Sequence, residues 1–226
     1  MELAECVNQA FRAATGKLPT FGVGSKKWNN LVASINFYIG QWAREPGVDW
    51  NSLYDPAYSL GNITATATFD LGDEVRKLSQ QEGDAIRITR TGSTQYTDFD
   101  VVSSDRLKEY ASGNYVAQIG KTIRFNKAFT SANPLFGGAI TAPVYLYPET
   151  MTRSNDTIPV DDPNWLVLMV AADYVRNDIT RKDLRADLVD EANASMQRMK
   201  TDNNAQIETA YTSWSPTGHI GDDYCY

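Results

Sequence analysis

Residues 162–172 read Asp162-Pro163-Asn164-Trp165-Leu166-Val167-Leu168-Met169-Val170-Ala171-Ala172. From Trp165 onward the side chains are apolar without interruption. Asp162 supplies an N-cap, and Pro163 suits the first helical position, where its missing N–H is not needed. A helix that is apolar all round has to be surrounded by other elements, so this one belongs at the centre of its domain. The run Trp165 to Ala172 is less than half as long as a bilayer span requires.

Helical patterning extends on both sides of that segment. After a break at Asn177 to Thr180, Leu184, Leu188, Ala192, Met196 and Met199 line one face of a long, otherwise charged helix ending near residue 204. At the N-terminus, Leu3, Val7, Ala10, Phe11 and Ala14 recur at helical spacing until Gly16 and Pro19 stop the pattern. Ser25 then caps a second helix. Its broad apolar stripe is Trp28, Leu31, Val32, Ile35, Tyr38, Ile39 and Trp42, and Pro46-Gly47 ends it.

Between the two helical zones the period changes to two. Ile63, Ala65, Ala67 and Phe69 alternate with threonines, Ile86 and Ile88 with Arg87 and Thr89, and Thr97, Phe99 and Val101 with Asp98 and Asp100. Further strands are expected at Tyr115 to Ile119, Lys121 to Phe125 and Ala139 to Tyr147. Turns are expected at Thr91-Gly92-Ser93, Gly120, Asn133-Pro134 and Gly137-Gly138, with a short helical turn from Asp105 to Tyr110 capped by Ser104. Pro143 marks the last strand as an edge or an irregular one. The expected fold is therefore α+β: a helical bundle formed by the N- and C-terminal helices, with an inserted antiparallel β module and an extended C-terminal tail. The boundaries are 1–57 and 158–204 for the bundle, 58–157 for the β module and 205–226 for the tail.

The 226 residues carry a net charge of −7. An acidic chain is poorly suited to gripping phosphate backbones, which requires Lys and Arg to displace counterions. Met1 to Ala14 has no continuous apolar core of the signal-peptide kind, so synthesis and use on the cytoplasmic side are expected. Cys6 and Cys225 stand at opposite ends of the sequence and suggest no disulfide. His219, the one histidine, falls in the expected tail, where a rigidly held catalytic base or zinc ligand is out of place.

Gly22-Val23-Gly24-Ser25-Lys26-Lys27 precedes a helix but lacks the strand and the spacing of a phosphate-binding loop, so it reads as the approach to a capped helix. Asp161-Asp162 reads as a helix cap. Asp98 and Asp100 read as the outer face of a strand, and Asp70 and Asp73 as the flanks of a turn at Gly72. No catalytic, cofactor-binding or metal-binding residue is assigned, no cofactor is expected, and the chain is not expected to be an enzyme. Aromatic residues make up 11% of the chain. Trp28, Trp42 and Trp165 read as core. Trp214, Tyr224 and Tyr226 lie beyond the last helix and read either as anchors for another chain or as part of a plainly disordered tail.

The layout resembles the head-to-tail adaptor (connector) proteins of tailed phages, in particular the tail tubular protein A-like family of short-tailed phages. The resemblance lies in the order and spacing of several segments across most of residues 1–204. They are the helix Leu3 to Ala14 with its Gly16-Lys17-Leu18-Pro19 stop, the second helix leading into Val48-Asp49-Trp50, and the stretch Tyr54 to Leu60. Val144-Tyr145-Leu146-Tyr147, Ile158 to Trp165 and the charged helix Leu184 to Lys200 complete it. At Gly61 the sequence departs from a proline common in that family.

The resemblance implies a helical bundle carrying a β module and a role without catalysis. It implies a ring, expected to hold twelve copies, that docks under the portal protein and joins it to the tail tube or nozzle. DNA would pass through the lumen without specific binding, and no membrane is involved. It further implies a location in the virion neck, with assembly in the host cytoplasm, and a portal-docking role for Trp214, Tyr224 and Tyr226. Other readings stay open at this point: another neck, head-completion or tail-completion protein, a stand-alone β module that binds glycan or peptide, and a carboxylate-based hydrolase.

Overall fold

The structure is a computed structural model that describes residues 1–212 except 82 and 111. The chain divides into two units, one formed by residues 1–38 with 153 onward, the other by residues 39–152.

The helical unit contains α1 (Leu3–Thr15), most of α2 (Lys26–Ala43), α3 (Pro163–Tyr174) and α4 (Lys182–Thr212). The capping signals act as the sequence suggests. Gly16 ends α1 in a left-handed conformation, with φ 71°. Ser25 Oγ accepts from the Trp28 N–H, and Asp162 accepts from the Asn164 N–H with Pro163 at the start of α3. Asp162 also accepts from the buried Ser195 hydroxyl of α4. The apolar helix is central to this unit: Trp165 to Leu168 and Val170 to Ala172 are all buried, with α1 and α4 packed on α3. Burying an aliphatic side chain contributes roughly 1.5–3 kcal/mol. Leu188, Ala192, Met196 and Met199 make the inner face of α4, and the helix continues through 205–212, which the sequence reading placed in the tail.

The sheet unit overturns the expected fold class. The chain is not a helical bundle carrying a small inserted β module. Its dominant element is an eight-stranded sheet that curls around its own core. The strands are β1 (Tyr54–Asn62), β2 (Thr68–Asp70), β3 (Val75–Leu78), β4 (Ala85–Thr89), β5 (Tyr96–Val101), β6 (Tyr115–Ile119), β7 (Thr122–Phe125) and β8 (Ala139–Leu146). Their order is β1-β8-β4-β5-β6-β7-β2, with β3 also on β8. All pairs are antiparallel except β5 with β6, which a crossover through residues 102–114 makes parallel.

Two of these strands escape the sequence pattern. β1 contains Pro56 and Gly61 and pairs with β8 through two register shifts. β3 is short and carries Arg76 and Lys77 between its buried ends. Conversely, the expected strand over Ile63 to Phe69 is strand only from Thr68. Ile63 is buried and ties its backbone to Gly137 and Gly138, while Thr66 Oγ1 accepts from the Thr68 N–H. The Thr66 side chain there serves the local backbone, a known competitor of strand pairing. The expected helical turn from Asp105 is a run of turns opened by the Ser103 carbonyl, which accepts from the Arg106 and Leu107 N–H groups.

Pro143 does not mark an edge, because β8 lies inside the sheet. One side of β8 pairs with β4 through Thr141 and with β3 from Val144, so Pro143 stands where the partner changes. Its carbonyl accepts from the Ser79 N–H, and its missing donor falls in the gap between two end-to-end partners. The link from β3 to β4 is held by Gln81 donating to the Tyr145 hydroxyl and by the Tyr54 hydroxyl donating to Asp84. Burial and that carboxylate push the Tyr54 hydroxyl well above the usual tyrosine range.

The curl brings β3 to the β6–β7 hairpin, where side chains replace a backbone ladder. Gln118 Oε1 accepts from the Leu78 N–H at 2.9 Å, and the Lys121 ammonium donates to the Val75 carbonyl at 2.7 Å and the Asp73 carbonyl at 3.2 Å. Inside, Phe125 meets Phe99, Phe129 and Phe69 edge to face, at ring separations of 5.0, 5.2 and 5.7 Å.

Two stability measurements follow from these contacts. Gln118→Leu leaves the Leu78 N–H without its acceptor and is expected to cost about 1–3 kcal/mol in urea unfolding, whereas Gln118→Glu, which keeps an acceptor, costs less. Equal losses would show that the β3 closure does not depend on that bond. In the helical unit, burial pushes the Cys6 thiol from 9.0 up to about 12. The folded state keeps this proton after the unfolded state has lost it. Its contribution is therefore full below pH 9 and declines as pH rises toward 12. Cys6→Ala should flatten the fall in stability between pH 9 and 10, and an unchanged slope would refute the assignment.

Candidate functional site

The helical unit has two chemically different ends. Glu2 bridges to Thr157 just before α3, so α1 and α3 begin side by side. They also finish together: Phe11 meets Tyr174 at 5.5 Å, and Arg181 donates to the Ala14 carbonyl at 2.5 Å. α2 runs the other way: midway along it the Ser34 hydroxyl donates to Asp173 near the end of α3 at 2.8 Å, and Tyr38 farther along it meets Trp165 near the start of α3. α4 also runs back, because Ser195 bonds Asp162 at the start of α3. One end of the unit therefore gathers the exits of α1 and α3, the starts of α2 and α4, and the two connecting loops.

That end exposes apolar side chains. Ile179 is 91% exposed, Leu18 70% and Val23 67%, and Tyr174 and Leu184 are exposed as well. Backbone chemistry explains why. Gly16 and Pro19 force the chain out of α1, and Gly24, with φ 81°, turns it back into α2 beneath the Ser25 cap. Asp178 accepts from the Thr180 N–H and hydroxyl, which fixes the α3–α4 corner with Ile179 at its tip. The Thr180 hydroxyl and the Arg181 guanidinium hold the Asp178 carboxyl below its ordinary range. Beneath the rim, Phe11 stands edge to face with both Phe21 and Tyr174. A shallow cleft of about 310 Å³, lined by Lys27, Asn30, Leu31, Ser34, Asp173 and Tyr174, opens beside it.

The same end is basic within an acidic chain. Arg12, Lys17, Lys26 and Lys27 come from α1, its exit and the start of α2. Arg176, Arg181, Lys182 and Arg185 come from the α3–α4 corner. The carboxylates among them are Asp173, Asp178, Asp183 and Asp187, and two of these are engaged by Arg176 and Arg181. Toward the opposite end the balance reverses. Glu2, Glu5, Asp161, Asp190, Glu191 and Asp202 are exposed there, against Arg153, Arg198 and Lys200.

The residues singled out from sequence fall as follows. Trp28, Trp42 and Trp165 are buried core. Trp214, Tyr224 and Tyr226, the expected portal-docking residues, lie outside the described residues, as do His219 and Cys225. Asp98 pairs with Arg87 on the outer face of the sheet. Gly22 to Lys27 forms part of the basic apolar end. The apolar rim itself was missed. Its signal was present as single apolar residues among turn formers: Leu18 before Pro19, Val23 between two glycines, and Ile179 between Asp178 and Thr180.

Among the described residues no cluster of three or more His, Cys, Asp or Glu could hold a metal ion, and no helix is long and apolar enough to cross a membrane. No protein-family model matches the chain, and no curated protein matches it in sequence.

An exposed rim can be altered without harming the fold. Ile179→Ser and Leu18→Ser are each expected to change unfolding stability by no more than about 0.5 kcal/mol, while together they reduce binding of a hydrophobic dye. A loss above about 2 kcal/mol for either would mean that the side chain is covered in the folded protein.

Proposed function

We propose that this chain is a structural subunit of a tailed-phage particle, a head-to-tail connector that works as one copy in a ring between portal and tail tube or nozzle. The observation that carries the reading is the exposed apolar rim of the helical unit. Several exposed apolar side chains gathered at one end of a unit among polar groups are what a protein keeps when another protein is to cover that end. The order of elements supports it too: two helices, a run of strands, then two helices, opened and closed by the segments that resemble the adaptor family. The reading does not depend on the expected bundle with its small β module, which the eight-stranded sheet replaces.

On this reading the work is geometric and no bond is made or broken. DNA moves past a chain whose net charge of −7 discourages phosphate binding. The segment after α4, with Trp214, Tyr224 and Tyr226, is the part proposed to engage the portal.

The test is a mass measurement with portal rings of a short-tailed phage. The full chain is expected to bind them as a discrete ring. A chain ending at Thr212, which keeps all of α4, is expected to stay folded by circular dichroism and to lose portal binding. A full-length chain that ignores portal rings would end the connector reading. Undiminished binding by the shortened chain would remove the portal contact from Trp214, Tyr224 and Tyr226.

A further inference from the structure

We propose that the basic, apolar end of the helical unit docks against the acidic end of the same unit in a second copy of this chain, so that copies join head to tail. The inference rests on the reading of the chain as an assembly subunit and names the two surfaces that would meet.

Three observations converge on it. The first is apolar exposure. Leu18 and Val23 on the α1–α2 loop and Ile179 at the α3–α4 corner are exposed at one end, and no described contact covers them. The second is charge. Lys17, Lys26, Lys27 and Arg185 belong to the same end of the unit and are exposed, in a chain whose overall charge is negative. The third is the complement on the same polypeptide. Glu2, Glu5 and Asp161 at the starts of α1 and α3, with Asp190, Glu191 and Asp202 on α4, are exposed toward the other end. One molecule therefore carries both halves of a complementary pair.

A nucleic acid would also answer the positive charge. Its phosphates would gain nothing from Ile179 and Leu18, however, and the carboxylates at the α3–α4 corner would oppose it. Unlike charges in register mainly set orientation and partner choice, and the apolar contact supplies affinity. Two different patches meeting make a heterologous contact, which propagates as a closed ring or an open filament.

The experiment is complementary charge reversal in the full chain. One variant combines Lys17→Glu, Lys26→Glu and Lys27→Glu. The other combines Glu2→Lys, Asp190→Lys and Asp202→Lys. All six side chains are exposed, and circular dichroism establishes that each variant folds. Sedimentation velocity across a wide concentration range reads the assembly state. Wild type is expected to assemble, and each variant alone to assemble at least about tenfold more weakly, since three screened charge pairs together contribute on the order of 1.4 kcal/mol. An equimolar mixture is expected to regain wild-type assembly, because the reversed end of each variant then meets the opposite charge on the other. Wild-type assembly by either variant alone, or a mixture that stays dissociated, overturns this contact while leaving the connector reading in place. A wild-type chain that stays monomeric at every concentration overturns the contact as well. If that chain also ignores portal rings, the connector reading falls with it.

Discussion

An apolar helix with no polar face constrains the helical unit more than any other feature. Trp165 to Ala172 offers solvent nothing to hydrate, so α3 is stable only when covered from several directions. α1 lies beside it in parallel, while α2 and α4 run back along it, and Asp162 both caps α3 and receives the Ser195 hydroxyl from α4. Covering one short helix with three others brings four helix termini and two loops to the same end. The exposed Leu18, Val23 and Ile179, and the cations around them, share a surface because α3 had to be enclosed.

The sheet unit meets a different constraint, the need to close a curved sheet without a complete ladder. β3 and β4 share one side of β8, and Pro143 fills the position where a donor would have no partner. At the far side of the curl, Gln118 and Lys121 reach the backbone of β3 in place of a neighbouring strand. Such closure satisfies polar groups that would otherwise be left unpaired beside the Phe125 aromatic cluster. It also limits the open edges. β1 carries Pro56 and two register shifts, and β2 has three residues, both of which discourage pairing with another sheet.

Legibility in the sequence followed from how much each segment depends on its own residues. The helices were readable because their caps and apolar periods are local: Asp162-Pro163, Ser25 and Gly16 act on their immediate neighbours. β4, β5 and β7 were readable because one face of each is buried and alternation survives, and β6, with Val116 and Ala117 both buried, because Gly120 sets it off from β7. β1 and β3 were not, because β1 is an edge interrupted by Pro56 and Gly61, and β3 is four residues long with two basic side chains. Missing those two strands made the sheet look like an accessory, and the order of the helical zones then suggested a bundle as the main body. The apolar rim was hidden for a related reason. Leu18, Val23 and Ile179 belong to no periodic pattern, and only the packing of four helix ends brings them to the same end of the unit.

The distribution of charge decides which pairings of the helical unit are open to it. Two copies meeting basic end to basic end would bring Lys17, Lys26, Lys27 and Arg185 against their own counterparts, with the neighbouring carboxylates already partly engaged by Arg176 and Arg181. Acidic end to acidic end would set Glu2, Asp190 and Asp202 against themselves. Like charges facing one another across an interface cost several kcal/mol and suppress wrong partners. Both two-fold arrangements are therefore penalised, and the mixed arrangement alone pairs unlike charges. A contact of that kind uses one patch of each sort per copy and leaves the other patch available, so every added copy presents the same two ends as the last. Whether such a series closes on itself depends only on the rotation between successive copies, which the shapes of the two ends set and their charges do not.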